Sequence, residues 1–196
     1  VFAPKNAGVG STASFCAGVT DLVSLTNQLS GQDPGGVWTS TQTTGFNATA
    51  GTFNLSNIPA GLYTFTYSFS NQAPCPNTSS DVFVRVNEIP VADAGPDKNI
   101  DCVIRTIEIG GNSTTGSTII YKWTLNNDSI NNTRTITAST GGVYTLEVTN
   151  TQTGCKAADD VRVIQSDDLP TFDIDSSNVR CFGEKNGFIE IINLTG

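Results

Sequence analysis

From Gly61 to Phe69 the chain alternates strictly. Tyr63, Phe65, Tyr67 and Phe69 fall on one parity, and Leu62, Thr64, Thr66 and Ser68 on the other. Period-two alternation predicts a strand with one buried face, here roughly 30 Å long. Thr118–Leu125, Arg134–Thr137 and Val143–Thr149 are rich in β-formers and predict further strands. Val82, Val84, Val86 and Val161, Val163 keep the same alternation. Between these runs lie turn signals: Asp33-Pro34-Gly35-Gly36, Gly110-Gly111-Asn112, Asn126-Asn127-Asp128 and Thr140-Gly141-Gly142. No stretch carries a helical stripe. The pattern predicts an all-β chain of antiparallel β-sandwiches.

The pattern also repeats. Gly61-Leu62-Tyr63-Thr64 and Gly142-Val143-Tyr144-Thr145 each open an alternating run. Ala7-Gly8 precedes Cys16, and Ala94-Gly95 precedes Cys102. Cys to Trp is 22 residues in one copy (Cys16, Trp38) and 21 in the other (Cys102, Trp123). Tyr to Cys is 12 (Tyr63, Cys75) and 11 (Tyr144, Cys155). Six landmarks in one order predict two copies of one domain, at 1–88 and 89–169, with the start of a third at 170–196.

Gly-x-Tyr at the head of a late strand predicts a tyrosine corner, the phenol bonding back to the preceding connection. Trp38 and Trp123 fall where a central strand belongs and are expected to anchor the two cores, with Tyr63 and Tyr144. A ligand-binding role for these four is the weaker reading.

Five cysteines at 16, 75, 102, 155 and 181 form no C-x-x-C pair. Wide spacing points to disulfides in an oxidising compartment rather than metal ligation. The expected bonds are Cys16–Cys75 and Cys102–Cys155, one within each copy, with free thiols as the alternative.

Composition narrows the chemistry. His is absent, which removes triads and dyads that use imidazole and most zinc or copper sites. Net charge is −8 with 10 unclustered basic residues, a poor match for nucleic acid. No apolar run is long enough to suggest a membrane span. Met is absent too, so the chain reads as an excised piece with no visible leader. No nucleophile elbow, phosphate loop or dinucleotide fingerprint occurs, and the chain reads as no enzyme. Lys122 could form an amide with a neighbouring Asn, a minor expectation.

Carboxylates gather near the junctions: Asp93, Asp97 and Asp101, then Asp167, Asp168, Asp173 and Asp175. Oxygen ligands there could hold Ca²⁺ and stiffen the junctions. Solvated acidic linkers are the plainer reading, with no cofactor at all. Asp173-x-Asp175-x-Ser177 with Glu184 counts like an EF-hand loop, yet Asn178 stands where the loop needs Gly. Phe46, Phe53 and Tyr121 are candidates for stacking on sugars if the chain is a lectin-like module.

Residues 178–189 bring a specific resemblance. Asn178-Val179-x-Cys181-Phe182-Gly183, then Asn186-Gly187-x-Ile189, resembles the opening of the SprB repeat of gliding-motility surface adhesins of Bacteroidetes. The two copies are similar to the immunoglobulin-like and PKD-like domains of such adhesins. The matching features are Gly36-x-Trp38, Ala60-Gly61-x-Tyr63-Thr64-Phe65-x-Tyr67 and Ala73-Pro74-Cys75-Pro76, then Ala94-Gly95-Pro96-Asp97, Gly142-x-Tyr144-Thr145 and Thr153-Gly154-Cys155. The resemblance implies a structural and adhesive segment of an extracellular filament. It implies export by type IX secretion, and as partners neighbouring adhesin domains, the gliding machinery and surface polysaccharides. It also implies that Cys181 is unpaired because its mate lies later in the repeat; a natural free or intermolecular thiol is the alternative. Asp128-Ser129-Ile130 resembles a Bacteroidetes O-glycosylation site at Ser129. Accessory domains of a secreted hydrolase are a further alternative.

Overall fold

The computed structural model describes residues 3–70, 75–166 and 171–195. The first sandwich comprises β1 (Val9–Gly10), β2 (Thr12–Cys16), β3 (Leu22–Ser24), β4 (Leu29–Ser30), β5 (Val37–Thr39), β6 (Phe46–Asn47), β7 (Thr52–Asn54), β8 (Gly61–Phe69) and β9 (Thr78–Asn87). The second comprises β10 (Lys98–Ile100), β11 (Ile107–Ile109), β12 (Ile119–Leu125), β13 (Asp128–Asn131), β14 (Ile136–Ala138), β15 (Gly142–Asn150) and β16 (Lys156–Gln165). A hairpin of β17 (Thr171–Ser177) and β18 (Phe188–Thr195) follows.

In the first sandwich a sheet ordered β2-β9-β8-β5 faces a sheet ordered β3-β7-β6, and β1 pairs with β4. In the second, β10-β16-β15-β12-β13 faces the pair β11-β14. The alternation in Gly61–Phe69 translates directly: Phe65, Tyr67 and Phe69 are buried, while Leu62 and Thr64 are exposed. They meet Val23, Leu25, Phe53 and Leu55 in one core. Ile109, Trp123, Ile136, Leu146, Val148, Val161 and Val163 make another. The two clusters share no residue, so each sandwich has its own source of hydrophobic stabilisation.

Antiparallel pairing throughout was the expectation; two ladders depart from it. β2 runs parallel to β9, with Cys16 opposite Asn87, and β10 runs parallel to β16, with Ile100 opposite Gln165. Each copy's opening strand therefore ends beside the end of its last strand. Asn87 seals the first of these seams. Its side chain donates to Ser14 Oγ (2.8 Å) and the Phe15 carbonyl (3.0 Å), and its carbonyl accepts from Ala17 N–H (2.8 Å).

β12 and β13 are joined by Asn126-Asn127, both with positive φ (52° and 73°). That is the backbone a two-residue hairpin turn requires, and Asn tolerates it better than most residues. β17 and β18 pair antiparallel, Ile174 opposite Ile191 and Ser176 opposite Ile189. All their residues are exposed.

Candidate functional site

Both tyrosine corners are formed. Tyr63 Oη donates to the Pro59 carbonyl and Tyr144 Oη to the Thr140 carbonyl, each at 2.8 Å and each four residues back. Tyr144 is buried, with Thr140 Oγ1 also at 3.1 Å from its hydroxyl. Tyr63 is half-buried, its ring 5.4 Å from that of Phe53. The repeated Gly-x-Tyr-Thr is thus a device that ties the start of β8 and β15 to the loop before them. Tyr144→Phe should lower stability by about 1 kcal/mol, the net worth of one such bond. A denaturant titration of the second sandwich reads it, and Tyr63→Phe should cost less because its site is wetter.

Trp38 and Trp123 are buried on β5 and β12. Trp123 Nε1 donates to the Thr133 carbonyl at 3.0 Å. Sequence reasoning missed Tyr67. Its hydroxyl donates to the Asp33 carbonyl (3.0 Å) and accepts from Gly36 N–H (2.8 Å), fixing the Asp33–Gly36 turn above Trp38. A Cβ on Gly36 would strike the Tyr67 ring, so the Gly of Gly36-x-Trp38 answers to Tyr67.

The sulfur bonding differs from the expectation. The bond joins Cys16 to Cys155, with Cα atoms 5.6 Å apart across a sequence separation of 139 residues. Cys75 and Cys102 are free, and so is the exposed Cys181. Parallel pairing of the opening strands is the reason. Cys16 lies beside Asn87 at one end of β9, whereas Cys75 lies before Thr78 at the other. The ten residues of β9 span roughly 30 Å, far beyond the Cα separation of about 4.4–6.8 Å that a disulfide needs. Cys102 and Cys155 are kept apart in the same way by β16.

The bond therefore connects the two sandwiches: the opening-strand cysteine of the first copy meets the hairpin cysteine of the second. Cys155 is fully buried, and its N–H donates to Thr153 Oγ1 at 3.3 Å. A groove is lined by Ser14, Arg85 and Asn87 of the first sandwich and by Gln152 and Thr153 of the second. The linker is tied down as well. Val91 N–H donates to Thr114 Oγ1 (2.8 Å), Thr114 N–H to the Val91 carbonyl (3.0 Å) and Asp93 N–H to Ser113 Oγ (2.9 Å). Non-reducing peptide mapping should recover Cys16 and Cys155 in one linked pair, and thiol labelling of the denatured, unreduced protein should count three reactive sulfurs.

The junction carboxylates serve the backbone. Asp93 accepts from Gly95 N–H (2.9 Å) and Asn112 N–H (2.6 Å), and Asp97 from Arg162 N–H (2.8 Å). Asp101 accepts from Ile104 N–H (2.6 Å) and Val103 N–H (2.7 Å). The Ile104 amide, then the Val103 amide, hold the Asp101 carboxyl below its ordinary pKa. The turn after β10 is therefore favoured at neutral pH, and that contribution disappears as acid protonates Asp101.

Asp167 and Asp168 lie outside the described residues. Asp173 and Asp175 lie within β17, not in a loop, so the EF-hand count fails: an extended strand cannot wrap a cation. Asp173 Oδ2 instead accepts from Asn193 Nδ2 at 3.0 Å. Among the described residues no three acidic or sulfur side chains converge on a metal position.

The sugar-stacking candidates are used inside the fold. Phe53 is fully buried, 4.8 Å from the Phe65 ring. Phe46 is half-buried with its ring tilted against that of Phe65, centroids 5.1 Å apart, and Tyr121 donates to the Thr114 carbonyl at 2.8 Å. Lys122 is exposed, and its cross-strand neighbour is Glu147. Ser129 is exposed on β13, an edge strand of its sheet.

No protein-family model and no curated protein matches the chain. Among solved structures, the titin I-band fragment I67-I69 aligns with a TM-score of 0.45 at 15% identity, over 87% of this chain and 70% of that one. The N-terminal four Ig domains of Dscam1 isoform 6.9 align with a TM-score of 0.41 at 13% identity, over 84% of this chain. The chain spans about half the length of the Dscam1 fragments it matches (47%).

Proposed function

We propose that this chain is a structural segment of an extracellular surface adhesin, holding adhesive surface away from the cell. The Cys16–Cys155 bond carries the reading, because it spans two sandwiches that have separate cores. A bond between domains does little to fill either core. Its effect is to limit how the domains move against each other, which matters in a spacer. A disulfide also fits an oxidising, extracytoplasmic setting.

The resemblance of Asn178–Ile189 to the opening of a SprB repeat supports the finer reading: a gliding-motility adhesin of the Bacteroidetes type, exported by type IX secretion and working beside neighbouring adhesin domains, the gliding machinery and surface polysaccharides. Antibodies against the recombinant chain should label intact producing cells and reduce their attachment to glass. Labelling confined to permeabilised cells would overturn the surface assignment.

No bound ion enters this reading. Asp93, Asp97 and Asp101 are already committed to amide N–H groups, so thermal unfolding should have the same midpoint in millimolar Ca²⁺ and in EDTA. A rise in Ca²⁺ would return metal to the junctions.

A further inference from the structure

The sulfur bond has a mechanical consequence. Traced from one end of the chain to the other, the covalent path meets Cys16 in β2 and Cys155 just before β16. Once the bond forms, the shortest covalent route crosses it. Strands β3 to β15, which include most of both cores, lie on a closed loop beside that route. We propose that the Cys16–Cys155 bond is a tension bypass: force applied between the chain ends runs through the sulfur atoms, and the looped residues can be extended only after reduction. The proposal rests on the spacer reading only for its claim that the protein meets tension in use.

The lengths make the effect large. In the fold the two Cα atoms are 5.6 Å apart with 139 residues of sequence separation between them. A chain of that length reaches roughly 460–500 Å when fully extended. With the bond intact, unfolding lengthens the end-to-end path only by the residues up to Cys16 and from Cys155 onward, whatever happens inside the loop. The two bonds expected from the sequence, Cys16–Cys75 and Cys102–Cys155, would have closed two separate loops and left the stretch between Cys75 and Cys102 on the load path. Bridging the copies hides nearly all of both.

The gate opens by thiol–disulfide exchange. Dithiothreitol supplies two electrons and two protons to the bridge, giving the Cys16 and Cys155 thiols, and itself closes to a cyclic disulfide. Cys155 is fully buried, which excludes reductant from that sulfur in the folded state, while Cys16 is half-buried and partly open to solvent. Reduction should therefore begin by attack at Cys16.

The experiment is single-molecule pulling through peptide handles at the two ends. It uses the full chain with Cys75→Ser, Cys102→Ser and Cys181→Ser, so that the free thiols cannot exchange with the bridge. Without reductant, fully stretched molecules should end roughly 460–500 Å short of those pulled in dithiothreitol. Adding Cys16→Ser, or separately Cys155→Ala, should give the long traces without reductant; circular dichroism first establishes that each variant is folded. If the unreduced chain already reaches full length, the bypass is wrong. The dithiothreitol arm decides the matter even if both variants fail to fold. Cell labelling is independent of these traces, so loss of the surface reading and loss of the bypass are separate outcomes.

Discussion

Trp123→Ala should strongly destabilise the second sandwich while leaving the first intact. Trp123 is fully buried at the centre of β12, packed among Ile136, Leu146 and Val161. Truncating a buried aromatic to Ala costs about 3–5 kcal/mol, and the Thr133 carbonyl also loses its indole N–H. Whole domains are stable by only about 5–15 kcal/mol, and a sandwich with so few buried residues belongs at the low end. The variant should show a second, low-temperature transition by calorimetry. The chain has two Trp residues, so Trp38 becomes the lone reporter of the first core. Its emission should stay blue through the new transition, because Trp38 packs against Tyr67 at 4.9 Å in a cluster that shares nothing with the second. A red shift of Trp38 in step with the new transition would show that the sandwiches unfold as one unit. The sulfur bond would then couple folding as well as position.

That separation into two cores was readable from the order of the landmarks, because each landmark answers to a local need. Gly-x-Tyr-Thr marks a corner whose bond reaches back only four residues. Alternation from Tyr63 to Phe69 marks a strand with one wet face. The sulfur pairing depends on which way the opening strand runs against the last one. Thr12–Cys16 would satisfy its hydrogen bonds in either direction, so nothing local to it settles the matter. Parallel pairing put Cys16 at the far end of β9 from Cys75 and so within reach of another domain. The aromatic candidates went astray for a related reason. Phe53 sits in a short strand between turns and looks like a loop residue along the chain, yet it closes the core against Phe65 and Tyr63. Asp93, Asp97 and Asp101 stand close together along the chain, but the fold sends them to separate backbone amides. What sequence does not show is that amides of Gly95, Asn112, Arg162, Val103 and Ile104 had already taken them.

Gly10→Val should destabilise the first sandwich by about 1–3 kcal/mol or more, the usual cost of forcing extra volume into a packed contact. Gly10 stands where the first strand changes sheets. Val9 and Gly10 pair with β4, but from Thr12 onward the chain pairs with β9 on the opposite sheet. Ser11 stands at the crossing, donating its N–H to the Gln28 carbonyl on one side (2.9 Å) and accepting from Phe83 N–H on the other (3.0 Å). A Cβ on Gly10 would overlap the Asp81 carbonyl of β9, and that neighbour is backbone, which cannot swing aside as a side chain can. The crossing must open, and β1 or β2 must leave its ladder. Hydrogen exchange should show this as lost protection at Phe83 and Ala13, with the amides of β12 and β15 unchanged. Gly10 and Ser11 lie on the short stretch before Cys16, on the covalent route from the chain's beginning to the bridge. In the oxidised protein the variant should therefore give way at lower force in its first extension step, with the length that only reduction can release unaltered. Unchanged protection at Phe83 would mean that the backbone accommodates the side chain, and that the sheet change does not depend on glycine.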